Sequence, residues 1–202
     1  MVSKGRSETT VRWEATVRWC LLAAVLTCVV SARGAIAGGR LATAQEYEIK
    51  AAYLFNLLLF VCPENAPSSN AGRMVIGVVG HDPFGDYFDT VEGQRVGSQD
   101  RELEIVRYGP YRDGLRMGTC DLLFIDASER SNLDKILAGL GRNPVLTVSD
   151  MDGFIESGGM IGLLLVRDRV RWEINRESLK HGGLRLSSQL LRNAVRILHD
   201  ND

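Results

Sequence analysis

The sequence predicts an α/β domain: a mainly parallel sheet of about six strands, helices on both faces, and an antiparallel hairpin near the carboxyl end. Three observations carry this. Short continuous apolar, β-branched runs such as Val145–Val148 suit strands buried on both faces. These runs alternate with stretches of helical apolar spacing, the order that builds βαβ units. Finally, Met160–Val166, a polar turn at Arg167-Asp168-Arg169, and the alternating run Val170–Ile174 together read as a hairpin.

Taken in order, the chain opens on a basic leader: Lys4, Arg6, Arg12 and Arg18. An apolar run, Trp19–Val30, follows; it falls short of the roughly 20 residues a membrane-spanning helix needs. Ala35-Ile36-Ala37 fits a small-x-small cleavage site, with Ala42-Thr43-Ala44 as a second choice. Residues 1–37 are therefore expected to be a secretory signal peptide, cleaved after 37 or after 44, with an uncleaved anchor as the alternative. Val25-Leu26-Thr27 before Cys28 makes a poor lipidation signal, so no lipid anchor or direct insertion in the membrane is expected. Removing residues 1–37 takes five basic and two acidic residues from totals of 24 and 25, leaving a net charge of about −4. A nucleic-acid partner would call for a basic face instead.

Residues 46–200 are one domain's worth of chain. Gln45–Val61 has Ile49, Tyr53, Leu57, Phe60 and Val61 at helical spacing, and Leu54, Phe55, Leu58 and Leu59 on the other side. A helix apolar nearly all round either lies in a core or lends a face to a homodimer or other partner contact. Pro63 ends it. Met74–Gly80 reads as the first buried strand, Asp86–Val91 as a short helix, Leu103–Tyr108 as the second strand and Leu122–Ile125 as the third. Ser131–Gly139 is helical, and Pro144–Val148 is the fourth strand. After the hairpin, Asn175 is a candidate N-cap, with Glu177 in the first turn and Gly182-Gly183 as the stop. Ser187 or Ser188 caps a last helix with the stripe Leu190, Leu191, Ala194, Val195 and Leu198.

Chemistry is hard to place on this frame. The loop Gly80, His81, Asp82, Pro83, Phe84, Gly85 lies at a strand's carboxyl end, where open α/β sheets take ligands, so Gly80, His81, Asp82, Phe84 and Gly85 form a candidate ligand loop. Its spacing is not G-x-G-x-x-G, and Pro83 removes a backbone N–H. A phospho-receiver site would want paired acids after the first strand and a lysine after the fifth; this chain has Gly80-His81-Asp82 and Arg167-Asp168-Arg169. No serine has a G-x-S-x-G setting, and H-E-x-x-H and paired cysteine spacings for zinc are missing. No catalytic residue, cofactor or metal is expected. Cys20 and Cys28 leave with the leader. Cys62 and Cys120 remain, as a disulfide in an oxidising compartment or as two separate thiols. Closing their loop would contribute roughly 4 kcal/mol. The hairpin's Ile161, Leu163, Leu165 and Trp172 form a candidate interaction surface, tryptophan being a common interface anchor.

Six segments carry a resemblance: Y-E-I-K-A-A-Y-L-F-N-L-L-L-F-V from Tyr47, V-I-G-V-V-G-H-D-P-F-G from Val75, L-T-V-S-D from Leu146, F-x-x-x-G-G-M-I-G from Phe154, V-R-W-E-I-N from Val170, and G-L-R-L-S-S-Q-L-L from Gly183. In this order they resemble the YfiR family of small exported proteins. The resemblance implies a periplasmic protein that holds a membrane diguanylate cyclase inactive by contacting its periplasmic sensor region, and so controls cyclic-di-GMP signalling. A cysteine near the start of the third strand also fits the family, but its partner there lies on the first strand, where this chain has Ile76-Gly77-Val78. The other expectation is a small-molecule or envelope-component binding module that uses the Gly80–Gly85 loop.

Overall fold

The computed structural model describes residues 45–63, 72–96 and 100–198, with backbone alone at 61–63. The expected leader and its cleavage sites lie outside the described residues. The described residues from 46 onward form one compact unit.

Helix α1 covers residues 45–60. It is followed by β1 (Val61–Pro63), β2 (Arg73–Val79), α2 (Asp86–Val91), β3 (Arg95–Val96), β4 (Arg101–Gly109) and β5 (Leu122–Ile125). A 3-10 turn (Ala127–Asn132) leads into α3 (Leu133–Leu140), then β6 (Leu146–Ser149), β7 (Ile161–Val166) and β8 (Arg169–Asn175). The chain continues with α4 (Arg176–His181), β9 (Leu184–Leu186), α5 (Ser188–Asn193) and β10 (Arg196–Leu198). The main sheet has eight strands in the order β10-β8-β7-β6-β5-β2-β4-β3, and β1 pairs with β9 in a separate two-stranded ribbon. Its inner pairs, from β4 through β2, β5 and β6 to β7, are parallel. The hairpin β7–β8 and the β3–β4 pair are antiparallel.

Alternation on the central strands divides the interior in two. Met74, Ile76 and Val78 of β2 and Leu122 and Phe124 of β5 point to one face, where Leu54 and Leu57 of α1, Phe88 of α2, Leu179 of α4 and Leu190 of α5 cover them. Val75, Val79, Leu123 and Ile125 point to the other, against Leu133, Ile136 and Leu140 of α3 and the segment carrying Met151, Phe154 and Ile155. The expected α/β architecture, with helices on both faces and a terminal hairpin, is the observed one.

Boundaries differ where tertiary pairing decides them. The expected helix Ser131–Gly139 is a 3-10 turn followed by α3. The Asp126 carboxylate caps that turn by accepting from Ser128 N. The last helix ends at Asn193 and does not continue to Leu198. Ser187 caps it as expected, accepting from Leu190 N. Beyond it the chain turns extended: Val195 N donates to Trp172 O, and Arg196–Leu198 add to β8 in parallel. An edge strand with unpaired N–H and C=O groups outcompetes a frayed last turn that would gain few bonds. Asn175 caps α4 as expected, its side chain accepting from Ser178 N.

Candidate functional site

In an open α/β sheet, loops at the carboxyl ends of the strands converge on one edge. Here that edge gathers Gly80–Gly85 after β2, Asp126 after β5 and Asp150 after β6, with the start of α1 across them. Gly80 leaves β2 with φ +95, and a Cβ there would lie 2.8 Å from Ser128 Oγ and 2.9 Å from Glu129 Cγ, so only glycine fits. Asp82 then folds the loop on itself: its Oδ1 accepts from Phe84 N (2.8 Å) and Gly85 N (3.4 Å). Its Oδ2 meets Arg107 Nε at 2.7 Å, and Arg107 Nη2 reaches Asp89 Oδ1 at 2.5 Å. These bonds from Asp82, more than any other cause, hold the Arg107 guanidinium protonated to higher pH than usual. His81 is exposed, and its N–H goes to Ser128 Oγ.

Phe84 is core. It stacks edge-on with Tyr47 (5.7 Å between centroids) and Phe124 (4.8 Å), and lies 4.4 Å from Phe88. Of the candidate ligand loop, then, Phe84 is a buried anchor and Asp82 a turn-former. Of the loop's amides, those of Phe84 and Gly85 are bonded within the loop, that of His81 goes to Ser128 Oγ and that of Gly80 to Gly109 O.

The strongest polar cluster on this edge lies beside that loop. Lys50 Nζ lies 2.6 Å from Asp150 Oδ2 and 2.6 Å from Glu46 Oε1, with the lysine side chain 5% exposed. Tyr47 donates its hydroxyl to Asp150 Oδ2 at 3.0 Å, and the Lys50 ammonium sits 4.4 Å from the Tyr47 ring centre. Burial, then the Asp150 charge, push the Tyr47 phenol far above its ordinary range. Sequence reasoning missed this cluster. Lys50 inside an otherwise apolar helix was the available signal, since a buried charge needs a partner.

The candidate interaction surface is corrected by burial. Ile161, Leu163 and Trp172 belong to the core beneath α1 and α5; of the four, Leu165 alone is exposed. Trp172 donates Nε1–H to Leu190 O at 3.1 Å, and its ring lies 5.5 Å from that of Tyr53. Its outer edge floors an open groove of about 260 Å³, lined by Tyr53, Asn56 and Phe60 of α1 and Gln189 and Asn193 around α5. All four share one face of the hairpin, and packing covers that face at Ile161, Leu163 and Trp172 but not at Leu165, which the apolar composition could not reveal.

The expected Cys62–Cys120 disulfide involves a residue whose side chain lies outside the described residues; Cys120 itself is a free, buried thiol. Cys120 packs in the α3-side interior. Cys120 Sγ donates to Met117 O, and burial pushes the thiol up to about 12. Among the described residues no group of acidic, histidine and cysteine side chains is placed to hold a metal ion, no helix is long and apolar enough to cross a membrane, and no buried side-chain nitrogen or oxygen lacks a partner.

Fold and edge together define an α/β module whose polar groups at the carboxyl edge are used to fix loops and to dock a helix. Residues 47–195 match the family described as DUF4154, YfiR/HmsC-like, and the chain belongs to that family. No curated protein sequence matches it significantly.

Proposed function

We propose that this protein is a periplasmic regulator that binds and represses an inner-membrane diguanylate cyclase through the cyclase's periplasmic region. The observation that carries the reading is membership of the YfiR/HmsC-like family across residues 47–195. The geometry of the carboxyl edge supports it, because Asp82, Arg107, Lys50 and Asp150 are committed to internal pairs. Contact is assigned to the outer face of α1, where Leu59 and Phe60 are exposed beside the Trp172 groove. The same face would serve a second copy of the chain. The test is co-purification with a membrane cyclase, together with cellular cyclic-di-GMP after deletion. A rise in cyclic-di-GMP on deletion and capture of the cyclase by the wild type are expected, with Phe60→Asp losing the capture and reproducing the rise. Unchanged cyclic-di-GMP and no capture would remove the reading.

The groove itself favours a second reading, a binding module for a neutral, partly aromatic small molecule or envelope component. A saturable thermal shift with such a ligand, lost on narrowing the groove in Asn56→Trp, would support it.

A further inference from the structure

The distal part of the hairpin stands away from the sheet. β6 pairs only with Ile161 and Gly162 of β7, and β10 only with Glu173–Asn175 of β8. From Leu164↔Arg171 outward, the two strands pair only with each other. Because β7 runs parallel to β6 and starts beside its last residues, this free ribbon projects past the carboxyl edge.

Its composition is unusual for a solvated turn. Leu165 (53% exposed) and Val166 (41%) are adjacent and so point to opposite faces of the ribbon. Arg167, Arg169 and Arg171 surround them, and none of their side chains has an ion-pair or hydrogen-bond partner among the described residues. The turn places Arg167 (φ 51) and Asp168 (φ 58) in the left-handed region, the conformation that type I′ hairpins normally fill with Asn-Gly.

We infer that this tip is a peripheral membrane contact that seats in an anionic phospholipid surface without spanning it. A protein partner covers one face of a ribbon, whereas a bilayer interface surrounds a tip that is apolar on both faces. The arginines would then sit at headgroup level, their stems along the acyl boundary and their guanidiniums on phosphates. Charge complementarity points the same way: residues 38–202 are net acidic, and the tip is locally basic. The inference stands apart from the cyclase reading, because it needs only the tip and a lipid surface.

The test is sedimentation of the protein, purified as cells process it, with vesicles of phosphatidylethanolamine and phosphatidylglycerol, against phosphatidylcholine alone. Two tip variants, Leu165→Ser/Val166→Ser and Arg167→Gln/Arg169→Gln/Arg171→Gln, share its amino terminus. Their folding is checked by thermal melts. Binding to the anionic vesicles, roughly tenfold weaker in each variant and weakened by salt in the wild type, is expected. Equal binding by wild type and variants overturns the inference, as does the absence of wild-type binding to the anionic vesicles. Retained cyclase capture by both variants separates this result from the fate of the proposed function. Loss of capture with vesicle binding unchanged would assign the tip to a protein partner and overturn the lipid reading.

Discussion

At the scale of single residues, Lys50 governs how α1 meets the sheet. Its ammonium is almost fully removed from water and is compensated by Asp150 and Glu46. Removing one member of such a pair leaves a buried charge without compensation. Lys50→Ala is expected to lower stability by about 3 kcal/mol in urea unfolding, and a loss below about 1 kcal/mol would show that water reaches Asp150. Cys120 gives a second prediction. Its thiol stays protonated in the fold, up to about 12 against an ordinary 9.0. Because the folded value is the higher one, this contribution to stability is complete below pH 9 and is lost as the pH rises toward 12. At pH 8 the native thiol should resist alkylation and react only on unfolding; rapid labelling of the folded protein would contradict the burial. Glu173 shows the same logic of compensation. It is buried opposite Gly162, where a Cβ would lie 2.8 Å from its Oε1, and it is bonded by Arg196 Nε at 2.8 Å. Arg196 also pairs with Glu156, so one guanidinium fastens β10 to β8 and to the loop beside it.

Among the elements, the hairpin was the most legible in the sequence and the edge strands the least. Val166–Arg169 brackets a two-residue turn, and the flanking alternation is local, so both strands could be read from neighbours a few positions apart. β10 could not, because Arg196–Leu198 are extended only by virtue of the vacant edge of β8, more than 20 positions away in the chain. The ribbon β1–β9 is hidden for the same reason, its partners being Val61 and Leu186. The ligand loop was legible as a loop but not as a closed one. Asp82 could have left its amides free; geometry alone shows that it takes two of them. The hairpin turn offers a prediction of its own. Arg167 and Asp168 occupy a conformation costly for residues with a Cβ, so Arg167→Asn/Asp168→Gly should raise stability by about 1 kcal/mol. An unchanged or lower midpoint in chemical denaturation would mean that the arginine contributes bonds absent from this structure.

For the molecule as a whole, protection should follow the sheet order. β2, β5 and β6 are flanked by strands on both sides and covered on both faces, whereas the ribbon from Leu164 to Arg171 has no further strand beside it and, of its residues, only Val170 is buried. In hydrogen exchange the amides of the three central strands should therefore be slowest, and those of the distal ribbon fastest among the strand residues. Equal protection of ribbon and centre would show that something covers the tip. Overall class, helix faces and central strands were readable because they follow from periodicities of two and 3.6 along the chain. The Lys50–Asp150 contact and the Trp172 groove were not, since each joins segments roughly 100 residues apart.

That separation bears on how the chain reaches its native state. Helix α1 is synthesised early, while Asp150, which compensates its one buried lysine, arrives 100 residues later. At ordinary elongation rates that interval is about 5–20 seconds. Through that time Leu54, Leu57 and Leu58 have no sheet to lie on, and an apolar helix in water seeks any greasy neighbour. The nascent polypeptide should thus depend on a holding chaperone, and its yield should fall sharply when such a chaperone is depleted.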